Sequence, residues 1–433
     1  MKRSAALLGL CALACGGGAT LPELEPGAAP TTASASGQTA DQILGLNEAI
    51  TVPPALAARN RMNAAQLEAH MRDNAALAQG LGARWVRGHN AGSPWLHYQD
   101  FPGFDQADMV VRAAQDHDLQ LVLVLGPWQG NKTGAFTSSY EVDDPQGYTA
   151  WVSSVVERYD GDGVDDMPGL EQPVKYWEID NEPDLKNSIL ARGAAKKYDP
   201  TTFCTSRQYT QVFELSAAAV RTADAQATVL NGGFYRPHAP QGDDYMRAVM
   251  GQDPSNDVLS VHAYYDGPGT EVLERALKNA SSVAGDRPIW LTETSVASQG
   301  ERWQTQAWQA DMVVRTVALA LSYGVERVFW HSLTEPPTPP KGVGMGYHSL
   351  ITVSGKAPPQ EKLAAAAYRR LASLLSQVPR DQVRVNDGRL LLGEHELVLE
   401  GRVDSGTVVA TGQPAKKGHD ASQAAVWRPL AQR

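Results

Sequence analysis

Along the chain, short apolar runs alternate with longer stretches whose apolar positions recur every three to four residues. The short runs fall at 43–47, 83–88, 120–126, 174–179, 228–232, 258–264, 288–292 and 327–331 and read as strands. Amphipathic stretches at 64–79, 106–116, 148–159, 206–223, 271–280 and 304–323 read as helices between them, and a last one at 360–375 follows the eighth strand. Eight strand–helix units in series predict an α/β fold, a (β/α)8 TIM barrel, over 43–376. A doubly wound open sheet is the rival, but nothing resembles its glycine-rich phosphate turn. Beyond the barrel, residues 383–385, 389–392, 396–399 and 407–410 read as short strands, with Asn386-Asp387-Gly388 as a hairpin turn. They predict a small β-rich C-terminal appendage over 377–433.

The first fourteen residues break the rhythm. A basic start, Met1-Lys2-Arg3, leads into an apolar run that ends at Cys15. It is too short to span a bilayer stably and reads as an export signal. It resembles a bacterial lipoprotein signal, with small Ala14 before Cys15 and three glycines after it. That resemblance implies cleavage after residue 14, lipid on Cys15 and a membrane anchor in the cell envelope; an ordinary secretory peptide cut nearby is the alternative. Residues 15–42, rich in Ala, Gly, Pro, Ser and Thr, read as a flexible linker.

Composition narrows the function. A net charge of −10 argues against nucleic acid as a partner, because phosphate binding needs clustered Lys and Arg. Three cysteines rule out a disulfide-dense scaffold, and no CxxC or Cys/His cluster suggests zinc. The acidic run Asp160-Gly161-Asp162-Gly163-Val164-Asp165-Asp166 has alternating carboxylates, but its glycine is misplaced for a calcium loop and no twelfth-position Glu follows. It reads as a polar turn, and no metal or other cofactor is expected.

In such barrels chemistry sits where strands end. The fourth strand runs into Glu178-Ile179-Asp180-Asn181-Glu182-Pro183, and the seventh into Thr292-Glu293-Thr294. Two glutamates on one rim suggest a carboxylate pair able to split an acetal. Here the chain resembles the clan A glycoside hydrolases, and within them the family 39 and family 5 enzymes. Their mark is an Asn-Glu acid/base after strand 4 and a Glu nucleophile on strand 7. Arg87 ends strand 2, His262-Ala263-Tyr264 ends strand 6 and Trp330 ends strand 8, as in that clan.

The resemblance implies Glu182 as acid/base and Glu293 as nucleophile, with carboxyl groups roughly 5–5.5 Å apart. It implies that Arg87 and Tyr264 hold Glu293, that Asn181 holds the sugar 2-hydroxyl, and that Trp330 lies under the sugar with His262 beside it. Each of these has a plainer reading, as a surface ion pair, a core histidine or packing. Trp128, with Trp95, Tyr98, Tyr235, Tyr265 and Trp303, is a candidate sugar platform on the loops. One departure stands out: on a regular strand Glu178, Asp180 and Glu182 share a face, and three acids aimed into one barrel would be costly unless the strand bends near Asn181 or Arg84 and Arg87 neutralise them. The implied function is retaining hydrolysis of a β-linked polysaccharide or oligosaccharide. The alternative is a non-catalytic carbohydrate-binding lipoprotein on the same scaffold.

Overall fold

The computed structural model describes residues 39–50, 61–88, 96–98, 101–127, 142, 144–185, 204–265, 267–335, 347–354, 357–386, 389–392, 395–399, 402–404, 407–409 and 425–429. The export signal, Cys15, Trp95 and Trp128 lie outside the described residues.

Eight parallel strands form the barrel: β1 Leu44–Asn47, β2 Trp85–Gly88, β3 Gln120–Gly126, β4 Tyr176–Ile179, β5 Thr228–Asn231, β6 Leu259–Tyr264, β7 Ile289–Ser295 and β8 Val325–His331. They pair in the order β5-β4-β3-β2-β1-β8-β7-β6. Isolated parallel bridges Leu230–Val258 and Phe234–Val261 draw the two outer strands together, so the barrel is nearly closed. Each strand overlaps the run expected for it. Strands buried on both faces show as continuous apolar runs, which is why they stand out in the sequence.

Among the described residues, eight α-helices surround the strands: α1 Ala64–Gly80, α2 Asp105–Gln115, α3 Pro145–Glu157, α4 Ser206–Ala223, α5 Pro240–Met250, α6 Glu271–Ala284, α7 Gln306–Ser322 and α8 Leu363–Leu375. Capping boxes start two of them, Asn63 with Gln66 on α1 and Thr205 with Gln208 on α4. The pattern reading missed α5. Its buried face is Tyr245, Met246, Val249 and Met250, but Pro240, Gly242 and two aspartates dilute the periodicity at its start.

Two apolar regions result. One lies between strands and helices. The other plugs the barrel at the N-terminal ends of the strands, where Trp85, Tyr176, Trp290 and Phe329 pack in one group with Val122, Leu230 and Val258. Trp85 meets Tyr176 edge-on at 4.8 Å and Trp290 at 5.4 Å. The Arg327 guanidinium lies 4.4 Å from the Trp85 ring centre and 5.0 Å from that of Trp290. Space for Phe329 comes from Gly45 on the neighbouring β1, where a β-carbon would sit 2.5 Å from the Phe329 ring.

The C-terminal strands β9 Val383–Asn386, β10 Arg389–Leu392, β11 His395–Leu399 and β14 Ala425–Pro429 form an antiparallel sheet. A separate hairpin pairs β12 Arg402–Asp404 with β13 Thr407–Val409. Two of these six, β12 and β14, were not expected from the sequence.

Overpacking at Gly45 provides a stability test. Gly45→Val should lower stability by roughly 1–3 kcal/mol, the usual cost of forcing side-chain volume into a filled core. Urea unfolding would read this as a lower midpoint at constant slope. An unchanged midpoint would mean that Phe329 yields without cost and that the plug is looser than described.

Candidate active site

The strands' C-terminal ends carry a polar layer built around Arg87. Its guanidinium is fully buried, and each of its five N–H groups has an acceptor. Nε and Nη2 donate to Glu178 at 2.5 and 2.9 Å. Nη1 donates to Asn47 Oδ1 at 3.0 Å and to Glu293 Oε1 at 2.8 Å, and Nη2 also donates to Asn181 Oδ1 at 2.8 Å. Residues from β1, β2, β4 and β7 are thereby tied to one cation.

The three acids after β4 are separated by the backbone. The strand ends at Ile179, and Asp180 and Glu182 adopt left-handed conformations, with φ of 67° and 51°. Glu178 therefore points inward, to Arg87, the Gly233 N–H at 2.8 Å and the Ser260 hydroxyl at 3.3 Å. Asp180 turns back to accept the Asn181 N–H at 2.6 Å, and its charge acts on the hydroxyls of Tyr148 and Tyr209 on α3 and α4. The three do not share a face, because positive φ at Asp180 breaks the alternation: the chain bends around Asn181, Arg87 meets Glu178, and Arg84 pairs with Asp41 instead.

Glu182 is left in the cleft, with Oε1 2.8 Å from Nδ1 of His262. Burial first, then the Glu293 charge and the buried Asp184 carboxylate, push its proton affinity well above the usual carboxylate range. Asp184 is itself raised to about 6 by burial, opposed by backbone N–H groups such as that of Tyr235 at 2.8 Å.

Glu293 is aimed by a bulge. Val261 pairs with Leu291, yet His262 pairs with Glu293, so Thr292 is an extra residue on β7. Thr292 bonds Ser260 across the strands, and Glu293 is brought opposite His262. Its Oε1 accepts from Arg87, and its Oε2 accepts from the Tyr264 hydroxyl at 2.6 Å. Burial and the Glu293 charge hold the Tyr264 phenol well above its ordinary proton affinity, so it remains a donor. His262 Nδ1 lies 3.7 Å from Glu293 Oε2, between the two glutamates. One ligand atom from each of Glu182, His262 and Glu293 lies within 4.8 Å of the others. Room for His262 depends on Gly233, where a β-carbon would come within 2.0 Å of its Nε2.

Thus Arg87, Asn181, Glu182, His262, Tyr264 and Glu293 come together in one network. Trp330 does not join them. Phe329 faces the barrel plug, so Trp330 faces the helices, where it is buried and donates to the His348 carbonyl at 3.2 Å. The inward residue at the end of β8 is His331, 2.9 Å from Asn47 and edge-on to Tyr264. Neither His331 nor Asn47 was singled out from the sequence, although both are polar residues at strand ends. Among the expected platforms, Tyr98 packs on Tyr148 and Trp151, Tyr265 bonds Thr316 on α7, and Trp303 packs on Trp308. In the 160–166 loop, the carboxylates of Asp160, Asp162 and Asp166 accept four of the loop's own backbone N–H groups, and one oxygen from each lies within 4.8 Å of the others.

Residues 151–347 match the model of the family described as glycosyl hydrolase catalytic core, a segment that holds both Glu182 and Glu293. No curated protein matches the chain. Among solved structures it is similar to a glucosidase from Croceicoccus marinus, with a TM-score of 0.55 and 13% identity over 84% of this chain and 76% of that one. A family 39 glycoside hydrolase from Bacteroides cellulosilyticus gives a TM-score of 0.52 and 14% identity over 83% and 69%. A monomeric β-xylosidase from Caulobacter crescentus gives 0.52 and 15% over 90% and 78%. At these identities the likeness is one of fold.

Removing the central cation should unmask the acids around it. Arg87→Met should destabilise the protein by about 3–5 kcal/mol near neutral pH, because it strands the buried Glu178 carboxylate. Burial already holds the proton affinity of Glu178 above the ordinary carboxylate value, and losing the Arg87 charge raises it further. The penalty relative to wild type therefore grows as pH rises from the wild-type folded-state value to the variant's higher one, and shrinks as pH falls towards the lower. Urea unfolding at pH 7 and pH 5 checks this; a penalty that is equal at both would show that Glu178 is not the stranded group.

Proposed function

We propose that the protein is a retaining glycoside hydrolase, acting on β-glycosidic bonds of a polysaccharide or oligosaccharide by double displacement. The supporting observation is that a carboxylate oxygen of Glu182 lies within 4.8 Å of one of Glu293, at the end of one barrel. Retaining enzymes keep the pair about 5–5.5 Å apart, whereas inverting enzymes need roughly 6.5–9.5 Å to admit a water between them.

The roles follow from the surroundings. Among the described residues Glu182 bonds neither Lys nor Arg, and its proton affinity is raised well above the usual carboxylate range, so it serves as the acid that protonates the leaving oxygen. Glu293 accepts from a guanidinium and a phenol and serves as the anion that attacks the anomeric carbon. In the second step Glu182, now ionised, takes a proton from water as that water displaces Glu293. Asn181 is fixed by its bond to Arg87, and its amide nitrogen is the group proposed to meet the sugar 2-hydroxyl. A non-catalytic sugar-binding protein is the second reading. It gives no reason for one buried carboxylate to keep a proton beside another held by a cation. The glucosidase and β-xylosidase of like fold make gluco- and xylo-configured β-glycosides the first substrates to try.

The two glutamates should fail differently. Glu293→Gln forms no glycosyl-enzyme and should lose activity on every substrate. Glu182→Gln should retain the first step on aryl glycosides with good leaving groups, and added azide should rescue it as a β-glycosyl azide. The alkaline limb of the wild-type kcat/KM profile should also be absent from the Glu182→Gln profile on such substrates, because activity falls as Glu182 loses its proton. Equal losses in both variants with no azide product would reverse or remove these roles.

We further propose that the protein is exported and lipid-anchored through Cys15. Labelled fatty acid should enter the wild-type protein and not Cys15→Ser. Labelling that survives in the variant would sink the anchor.

A further inference from the structure

The inward end of β8 carries a group that neither glutamate uses. Arg87 has only donors, so the Asn47 oxygen 3.0 Å from its Nη1 must accept. The other end of that amide, Nδ2, is therefore a donor, and it lies 2.9 Å from Nδ1 of His331. A ring nitrogen facing a donor has to offer its lone pair. His331 Nδ1 is thus unprotonated, and the proton of the ring sits on Nε2. The direction of every bond in this chain follows from the guanidinium at its start.

That Nε2–H has no hydrogen-bond partner among the described residues, and it is not one of the nitrogens sealed away from solvent. The ring stands perpendicular to that of Tyr264 with centres 6.1 Å apart, and Tyr264 bonds Glu293. A donor of fixed direction therefore opens beside the group that would attack the sugar. A polar group there favours a different ligand surface from an aromatic ring, which covers an apolar sugar face.

We propose that His331 is a substrate-binding residue that donates its Nε2 proton to a hydroxyl of the sugar held at Glu293, so that this subsite selects for a hydroxylated sugar edge at β8. The inference rests on the glycoside hydrolase reading for its substrate class. A site built to bond a hydroxyl rejects the analogue that lacks it, because the protein's donor is then left unpaired.

Two measurements test it. Nitrogen-15 spectra of the full-length protein, with His331 assigned by comparison with His331→Gln, should show the Nε2–H tautomer near neutral pH. A proton on Nδ1 overturns the proposal whether or not any sugar is cleaved. The second measurement compares the best glycoside for the wild type with its singly deoxygenated analogues. One analogue should lose about tenfold in kcat/KM, the scale of a neutral hydrogen bond. His331→Phe should lose a similar factor on the parent sugar and nothing further on that analogue, whereas His331→Gln, which keeps a donor, should retain part of the discrimination. Losses that multiply for every analogue overturn the proposal. If the wild type cleaves no glycoside, it is the hydrolase reading that fails; the same analogues are then compared as ligands by calorimetry, under the same criteria.

Discussion

A buried guanidinium is tolerable only if every donor finds an acceptor, and Arg87 imposes that condition on the whole rim of the barrel. Its acceptors are two carboxylates and two side-chain amides, drawn from three other strands and the loop after β4. Because it can only donate, it fixes the orientation of both amides. It also divides the acids. Glu178 takes two of its bonds and Glu293 one, while Glu182 has only its more distant field. One cation beside three carboxylates leaves the third in a site that resists a further negative charge, and the proton affinity of Glu182 is raised accordingly. The proposed division between acid and nucleophile rests on which carboxylates the arginine touches.

The backbone supplies the rest through local departures from regular geometry. Left-handed residues at Asp180 and Glu182 turn the chain at the end of β4, and a single extra residue on β7 re-aims Glu293. Non-glycine residues in that region cost on the order of 1–3 kcal/mol each and persist where the surroundings over-determine them. Here the Asp180 N–H is held by the Leu125 carbonyl, and its carboxylate holds the next N–H. Gly233 meets two demands at once, giving its N–H to Glu178 and its missing side chain's space to His262.

These departures set the limit of what the sequence reveals. The eight strands were legible because both faces are buried, and the strand ends then located Arg87, Glu182, His262, Tyr264 and Glu293. A bend near Asn181 could be weighed from the crowding of acids, but its path was not legible: Asp tolerates a positive φ, yet most aspartates do not adopt one, and alternation assumes an extended backbone. Nor was the choice between Trp330 and His331. An aromatic at a strand end looks like a sugar platform, but which of two neighbours faces inward depends on the pairing with β1. There Phe329 lies against Gly45 and His331 against Asn47, two positions further along the same face. The inward face of β1 thus alternates a glycine that makes room with an amide that relays a bond direction, information that appears only once the strands are paired.

The barrel interior is consequently divided along its axis. Toward the N-terminal ends of the strands it is filled by aromatic rings and aliphatic side chains, with the half-buried Tyr176 and Arg327 at their edge. Above them, polar side chains satisfy one another from Arg87 outward. The apolar layer is the floor of the polar one, and it keeps the effective dielectric low where Arg87, Glu178 and Glu293 meet. A low dielectric strengthens each of those contacts and raises the cost of breaking any one of them. The plug therefore bears on the site above it: it strengthens the contacts that hold Glu178 and Glu293 to Arg87, the contacts on which the proposed roles of Glu293 and Glu182 rest.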